Sequence, residues 1–264
     1  MSRLFGRLSR VRRPRAFARL SIRVFHGLFP RIDLAEAERS SRTDYASLQD
    51  FFTRSIRPEV RPLDPSPLVC SCDGAFGQAG AIESGTVLQA KGVPYAVAEF
   101  LQDPELAARL EGGAFCTIYL APWNYHRVHH AISGEIVQAR HMAGDLWPVN
   151  REAVEKVPGL FVRNERASVV LRTARGTCVA VMVGATNVGS ILLRCAPDLG
   201  RGTTGAWAPD RPLAVEKGDE LGVFELGSTV VLLVDRELRS ALGGDDWPQV
   251  GLETRMGRAL PLRR

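Results

Sequence analysis

The sequence predicts an α+β protein, a mainly antiparallel β body preceded by amino-terminal helices. Three observations predict it. Helical apolar spacing is concentrated before Pro62, with one further stretch near residue 100. From Pro67 onward, Gly74, Gly77, Gly80, Gly85 and Gly92 cut the chain into strand-length pieces. The later apolar runs are short and rich in β-branched residues. With 264 residues, 45% apolar and 24% charged, the chain can bury a substantial core and is not disordered throughout. No uncharged apolar run approaches the about 18 residues of a membrane-spanning helix.

The first element is a basic helix. Nine arginines and no acidic residue lie between Met1 and Arg31, leaving a net charge of −4 on the rest although the whole chain carries +5. Positive charge confined to one terminus argues against a nucleic-acid face. From Arg15 to Phe29, Arg15, Arg19 and Arg23 form one ridge, with Phe17, Leu20, Val24 and Leu28 roughly opposite. Such a helix suits an anionic membrane surface. Docking on the protein's own core and a cleaved targeting segment are the alternatives. A second helix is expected to begin at Thr43 or Asp44 and to carry Tyr45, Leu48, Phe51 and Phe52 inward, with Pro58 and Pro62 beyond it.

Strands are expected over 115–120, 168–171, 178–183 and 230–234, and a short helix over 95–110. The apolar stretch 179–193 reads as two buried strands and a turn. Leu199 to Asp210, with three glycines, reads as an exposed flexible loop. Five cysteines, Cys70, Cys72, Cys116, Cys178 and Cys195, suit a reducing compartment and not a disulfide framework.

Two clusters carry chemistry. Tyr125-His126-Arg127-Val128-His129-His130 holds three of the five histidines. Metal ligation, acid–base work and plain structural roles all remain open on the residues alone. The second cluster is Phe224-Glu225-Leu226-Gly227-Ser228-Thr229, just ahead of an apolar strand. A Gly-Ser step usually marks a turn. It also places a hydroxyl beside the preceding peptide bond, as an N-to-O acyl shift requires. The sequence contains no G-x-S-x-G, P-loop, dinucleotide-binding glycine motif or H-E-x-x-H.

Taken in order, several stretches resemble the bacterial, membrane-associated phosphatidylserine decarboxylase proenzymes. They are Phe51-Phe52-Thr53-Arg54, Ser71-Cys72-Asp73-Gly74, Lys91-Gly92-Val93-Pro94-Tyr95 and Tyr119 through His129. Phe161-Val162-Arg163-Asn164-Glu165-Arg166, Val183 through Gly189 and Leu226-Gly227-Ser228-Thr229 complete the set. Cys72, Trp123-Asn124 and His130-Ala131 depart from the common family pattern. The resemblance implies two segments: a basic, helical, membrane-facing one over 1–62 and a β-rich catalytic domain over 63–264. It implies self-cleavage between Gly227 and Ser228, with Ser228 attacking the Gly227 carbonyl and becoming a pyruvoyl group. His129 would take the serine proton, Asp73 would orient that imidazole, and His126 would assist decarboxylation. The pyruvoyl ketone would be the electron sink, with no metal and no pyridoxal phosphate. The implied partners are phosphatidylserine in an anionic membrane and the two cleavage fragments paired as a heterodimer. Further homo-oligomerisation is compatible, and no nucleic acid is expected. The implied location is the cytoplasmic face of the bacterial cell membrane, held peripherally.

Overall fold

The computed structural model describes residues 8–90, 93–185, 191–200, 203–225, 228–243 and 248–260. The basic segment forms helix α1 (Arg15–Leu28), closed by the Phe29 amide donating to the Phe25 carbonyl ahead of Pro30. The second helix begins later than the sequence suggests. Thr43 and Asp44 lie in a 3-10 turn capped by Ser41, and α2 (Leu48–Phe52) starts after Ser47, whose hydroxyl accepts from the Asp50 amide. Ser47 meets the orphan amides of the first turn, so the cap sets the start. Tyr45, Leu48, Phe51 and Phe52 are nevertheless all buried, in a cluster with Ile22, Phe25 and Ile32.

The body contains β1 (Gly74–Ala81), β2 (Thr86–Ala90), β3 (Val93–Ala96), β4 (Ala114–Leu120), β5 (Arg127–His129), β6 (Gly134–Met142) and β7 (Arg166–Thr173). It continues with β8 (Gly176–Gly184), β9 (Ile191–Leu193), β10 (Gly205–Trp207), β11 (Leu213–Val215), β12 (Glu220–Phe224), β13 (Ser228–Val234) and β14 (Glu253–Thr254). Among the described residues the main sheet runs β10-β6-β7-β8-β13-β4-β1-β14, with β11 also on β6. Strands β5-β12-β9 form a smaller sheet, and β2-β3 a hairpin pair. Every named pairing is antiparallel.

Strand alternation sorts the core onto two faces. One face carries Cys116, Ile118, Leu120, Ala180, Met182, Val230 and Leu232, covered by Val128, Leu193, Leu221 and Phe224 of the small sheet. The other carries Phe115, Val179, Val181, Val231 and Leu233, covered by residues of α3 (Val97–Leu101), α4 (Pro104–Arg109), α5 (Arg151–Lys156) and α6 (Leu160–Arg163). All seven residues of β13 are buried, as expected of a strand covered on both faces. Helix α7 (Arg236–Leu242) follows it.

Three expectations are corrected. The helix expected over 95–110 is split: Tyr95 belongs to β3, and Gln102 takes φ +49° before Asp103 caps α4. The stretch 179–193 does supply strands, but β8 and β9 belong to different sheets; residues 186–190 lie outside the described residues. The loop expected over 199–210 contains β10, which pairs with β6, and Gly200 in it is buried.

Candidate active site

The site stands where β12 hands the chain to β13. Phe224 ends β12, and its amide donates to the His126 carbonyl at 3.1 Å. Residues 226 and 227 lie outside the described residues, so the expected cut site at Gly227 carries no geometry. Ser228 opens β13, opposite Leu120 of β4 and Gly184 of β8. It is fully buried, and its Oγ has no hydrogen-bond partner among the described residues. A buried hydroxyl left unsatisfied is costly, and such orphans call for an explanation.

Strand β5 lies beside β12 and is bracketed by the two expected histidines. Val223 faces Arg127, and an Arg127–Glu220 ion pair of 2.8 Å ties the strands together. His126 is fully buried, its ring centroid 4.0 Å from that of Phe52. Its Nδ1 lies 2.9 Å from the Asn124 carbonyl. A carbonyl only accepts, so Nδ1 carries the proton and Nε2 is a bare lone pair, without a partner among the described residues. Burial, aided by the Arg54 charge and only partly offset by the Asn124 hydrogen bond, pushes its pKa down to about 3.

His129 is half-buried. Its Nδ1 donates to the Gly218 carbonyl at 2.7 Å, and Nε2 accepts from the Tyr125 hydroxyl at 3.0 Å. Gly218 has φ +94°, a conformation that favours glycine, and so presents its carbonyl at this point. Burial lowers the His129 pKa, against the pull of Gly218. His130 is also buried, with an unpartnered Nδ1 and a pKa pushed down by burial to about 4.

Asp73 lies next to this strand in the chain order of contacts, because the His129 amide donates to the Ser71 carbonyl at 2.8 Å. Among the described residues, no hydrogen bond joins the Asp73 carboxylate to the His129 ring it is expected to orient. Both ring nitrogens are occupied by Gly218 and Tyr125. The Asp73 carboxylate instead receives Arg61 Nε at 3.0 Å, Arg61 Nη2 at 2.6 Å and the Met256 amide at 2.9 Å. Arg61 also reaches Glu36, which holds Arg255. Gly74, directly after Asp73, allows a close backbone approach: a Cβ there would lie 2.3 Å from the Tyr119 carbonyl oxygen.

Arg61 and Asp73 line a cleft of ≈ 270 Å³ together with Arg54, Tyr125, Arg255 and Arg258. Sequence reasoning missed Arg61 and Glu36 altogether. Their only local signal was a cation between Pro58 and Pro62, which reads as helix termination. Tyr125 and Arg54 lie inside the family-like stretches, where the sequence alone assigns them no role.

The expected membrane residues are elsewhere. Arg15, Arg19 and Arg23 are exposed on α1, as are Phe17, Leu20, Val24 and Leu28. A third face of α1, Ala18, Ile22 and Phe25, packs inward. The helix therefore docks on the protein without using the ridge expected to meet lipid. No helix among the described residues is long and apolar enough to cross a membrane. All five cysteines are free; burial pushes Cys70 up to about 11 and Cys178 to about 12, so these thiols are poor ligands or nucleophiles. Among the described residues, no three His, Cys, Asp or Glu side chains converge as a metal site.

Comparison with known proteins agrees along nearly the whole chain. The family model described as phosphatidylserine decarboxylase matches residues 48–260. A phosphatidylserine decarboxylase proenzyme of Anaeromyxobacter sp. (strain K) is 42% identical over 242 residues, covering 89% of this chain and 85% of the relative. That of Acidovorax ebreus is 41% identical over 237 residues, covering 88% and 83%. That of Bordetella pertussis is 38% identical over 271 residues, covering 99% and 90%. With the ordered motifs and the β12–β13 junction already in place, these matches show that the chain belongs to the phosphatidylserine decarboxylase family.

Proposed function

We propose that this chain is a proenzyme that cuts itself between Gly227 and Ser228 and then decarboxylates phosphatidylserine to phosphatidylethanolamine at a membrane surface. The observation that carries the reading is Ser228: a fully buried hydroxyl without a partner, at the first position of a central strand. In the cut, Oγ attacks the Gly227 carbonyl and the peptide bond becomes an ester. Elimination releases the carboxylate of the first fragment, and water then replaces the nitrogen of the resulting enamine as ammonia, leaving a pyruvoyl terminus on the second.

His129 is the base in this scheme. Its Nε2 lone pair is already directed to a hydroxyl, that of Tyr125, and burial keeps it unprotonated below the ordinary imidazole range. Asp73 acts as a positioning residue: it fixes Arg61 and the 70–73 chain, whose Ser71 carbonyl holds the His129 amide. His126 supplies the bare, buried Nε2 that takes up and returns a proton during turnover. The pyruvoyl ketone, once formed from Ser228, supplies the electron sink for loss of carbon dioxide from an amino acid headgroup. The surrounding residues fit that group, since the serine that would form it is buried away from bulk water and follows β12, the strand that pairs with the histidine-bearing β5.

The exposed apolar ridge of α1, flanked by Arg15, Arg19 and Arg23, supports peripheral binding to an anionic leaflet. A further basic cavity of ≈ 360 Å³ lined by Arg12, Arg13, Arg15 and Arg19 lies on the same segment. The active form on this reading is the pair of fragments 1–227 and 228–264, held by the sheet pairing of β13 with β4 and β8. Carbon dioxide release from phosphatidylserine vesicles tests the proposal. The wild type should turn over, and Ser228→Ala should be both uncut and inactive. Turnover by Ser228→Ala would refute it.

A further inference from the structure

Arg54 is the one described buried arginine whose charge the protein leaves largely unanswered. The residue is 4% exposed. Nη2 donates to the Trp123 and Asn124 carbonyls at 3.1 and 3.4 Å. Nε and Nη1 are buried without a partner, and no carboxylate pairs with Arg54 among the described residues. The other buried arginines differ. Arg61 is held by two carboxylates. Arg166 spends Nε, Nη1 and Nη2 on the carbonyls of Phe100, Val162, Asn164 and Glu99. Burying a charge is strongly unfavourable unless it is paired and hydrogen-bonded, so unpartnered donors on a cleft-lining guanidinium mark a place for an anion.

The location says which anion. Arg54 lines the same polar cleft as Asp73 and Tyr125, and Tyr125 bonds His129. Its charge also reaches His126. Two anionic groups of the proposed substrate could meet it, the serine carboxylate and the phosphodiester. The carboxylate must leave as neutral carbon dioxide. A guanidinium locked onto it would stabilise the ground state more than the transition state and would oppose the reaction. The phosphodiester keeps its charge from substrate to product, so an arginine on it holds the headgroup throughout. Resting on the proposed decarboxylation, we infer that Arg54 is the phosphodiester anchor of this site, its unpartnered guanidinium donors serving the phosphate oxygens of the phospholipid headgroup. Arg258 also lines the cleft, whereas Arg255 there is paired with Glu36.

Full-length Arg54→Gln and Arg54→Lys, assayed on phosphatidylserine vesicles, test the inference. Both should yield the same two fragments as the wild type. Arg54→Gln should raise KM about ten- to a hundredfold, the range for a charge-assisted hydrogen bond, with kcat changed far less. Arg54→Lys, which keeps the charge but loses the fork, should fall between, and it decides the matter if Arg54→Gln does not fold. Two soluble probes identify the anion. Glycerophosphoethanolamine, a phosphodiester without a carboxylate, should inhibit the wild type and lose that inhibition in Arg54→Gln. N-acetylserine, a carboxylate without phosphate, should act equally on both. A wild-type KM in both variants, or loss of N-acetylserine inhibition alone, overturns the assignment. Failure of the decarboxylase reading would show separately, as a wild type that turns nothing over. Titration of glycerophosphoethanolamine followed by phosphorus NMR then still reports whether Arg54 binds it.

Discussion

At the scale of single residues, the site is governed by which polar atoms have partners. Asp73 and Arg61 satisfy one another deep in the protein, whereas Ser228 Oγ and His126 Nε2 are left open. Asp73→Ala should therefore act twice. It should destabilise the fold by about 3 kcal/mol, the lower end for a broken buried pair because Glu36 still holds Arg61, and it should slow the cut. Denaturant melts and cleavage time courses check the two effects separately. His129→Ala should block the cut, while His126→Ala should cut and then turn over slowly. Equal loss of cleavage in both variants would contradict this division. The cut should also tolerate mild acid. Because burial lowers the His129 pKa, its rate should fall only once the pH drops below the ordinary imidazole range near 6.5. The residues proposed to react were picked out in the sequence because their order along the chain carries the resemblance. Arg61 was not, because only the fold brings Arg61 and the Met256 amide together on Asp73.

At the scale of elements, α1 divides its surface three ways, and its faces predict different consequences. Ile22 is 1% exposed, while Leu20, Val24 and Leu28 are more than half exposed. Ile22→Ala should cost about 2–5 kcal/mol of stability. The triple change of Leu20, Val24 and Leu28 to Ser should leave the melting curve nearly unmoved but lower vesicle binding. Arg15, Arg19 and Arg23 changed to Gln should weaken binding to anionic vesicles, each arginine being worth about 1 kcal/mol at the surface, and should leave the cut intact. Vesicle sedimentation at low and high salt checks both sets; unchanged binding in both would mean that another surface meets the membrane. Periodicity made α1 legible but could not say which of two apolar stripes faces inward, since Phe17, Leu20, Val24 and Leu28 satisfy helical spacing as well as Ala18, Ile22 and Phe25 do. The break between α3 and α4 was equally hidden. The apolar residues continue across it, and only the positive φ of Gln102 and the Asp103 cap divide them.

At the scale of the whole molecule, two different sheets hold the chain on the two sides of the Gly227–Ser228 bond. β12 sits in the small sheet, and β13 lies centrally in the large one between β8 and β4. A cut between them leaves fourteen inter-strand partner positions of β13 in place, so the fragments should remain together until denatured. Buried histidines also give the fold a two-sided pH dependence. Burial opposes the His141 charge, but Glu165 at 3.0 Å and the Thr203 carbonyl at 2.6 Å outweigh it and raise its pKa. That contribution is complete below about pH 6.5 and is lost as pH rises through the raised value. His126 and His130 act in the opposite sense, stabilising above about 6.5 and less as pH falls toward about 3 and about 4. Melting temperature against pH should show both limbs, and His141→Gln should flatten the alkaline one. The α+β class and the order of the strands' apolar runs could be read from the sequence. The pairing of β13 with β4 and β8 could not, because it joins segments separated by long stretches of chain.

The most direct measurement is the intact mass of the purified protein after denaturation. Self-cleavage predicts two species, residues 1–227 and residues 228–264, the second carrying a pyruvoyl group in place of its amino-terminal serine, and a single full-length mass for Ser228→Ala. A fully active wild type with one mass, that of the unbroken 264-residue chain, would contradict the account.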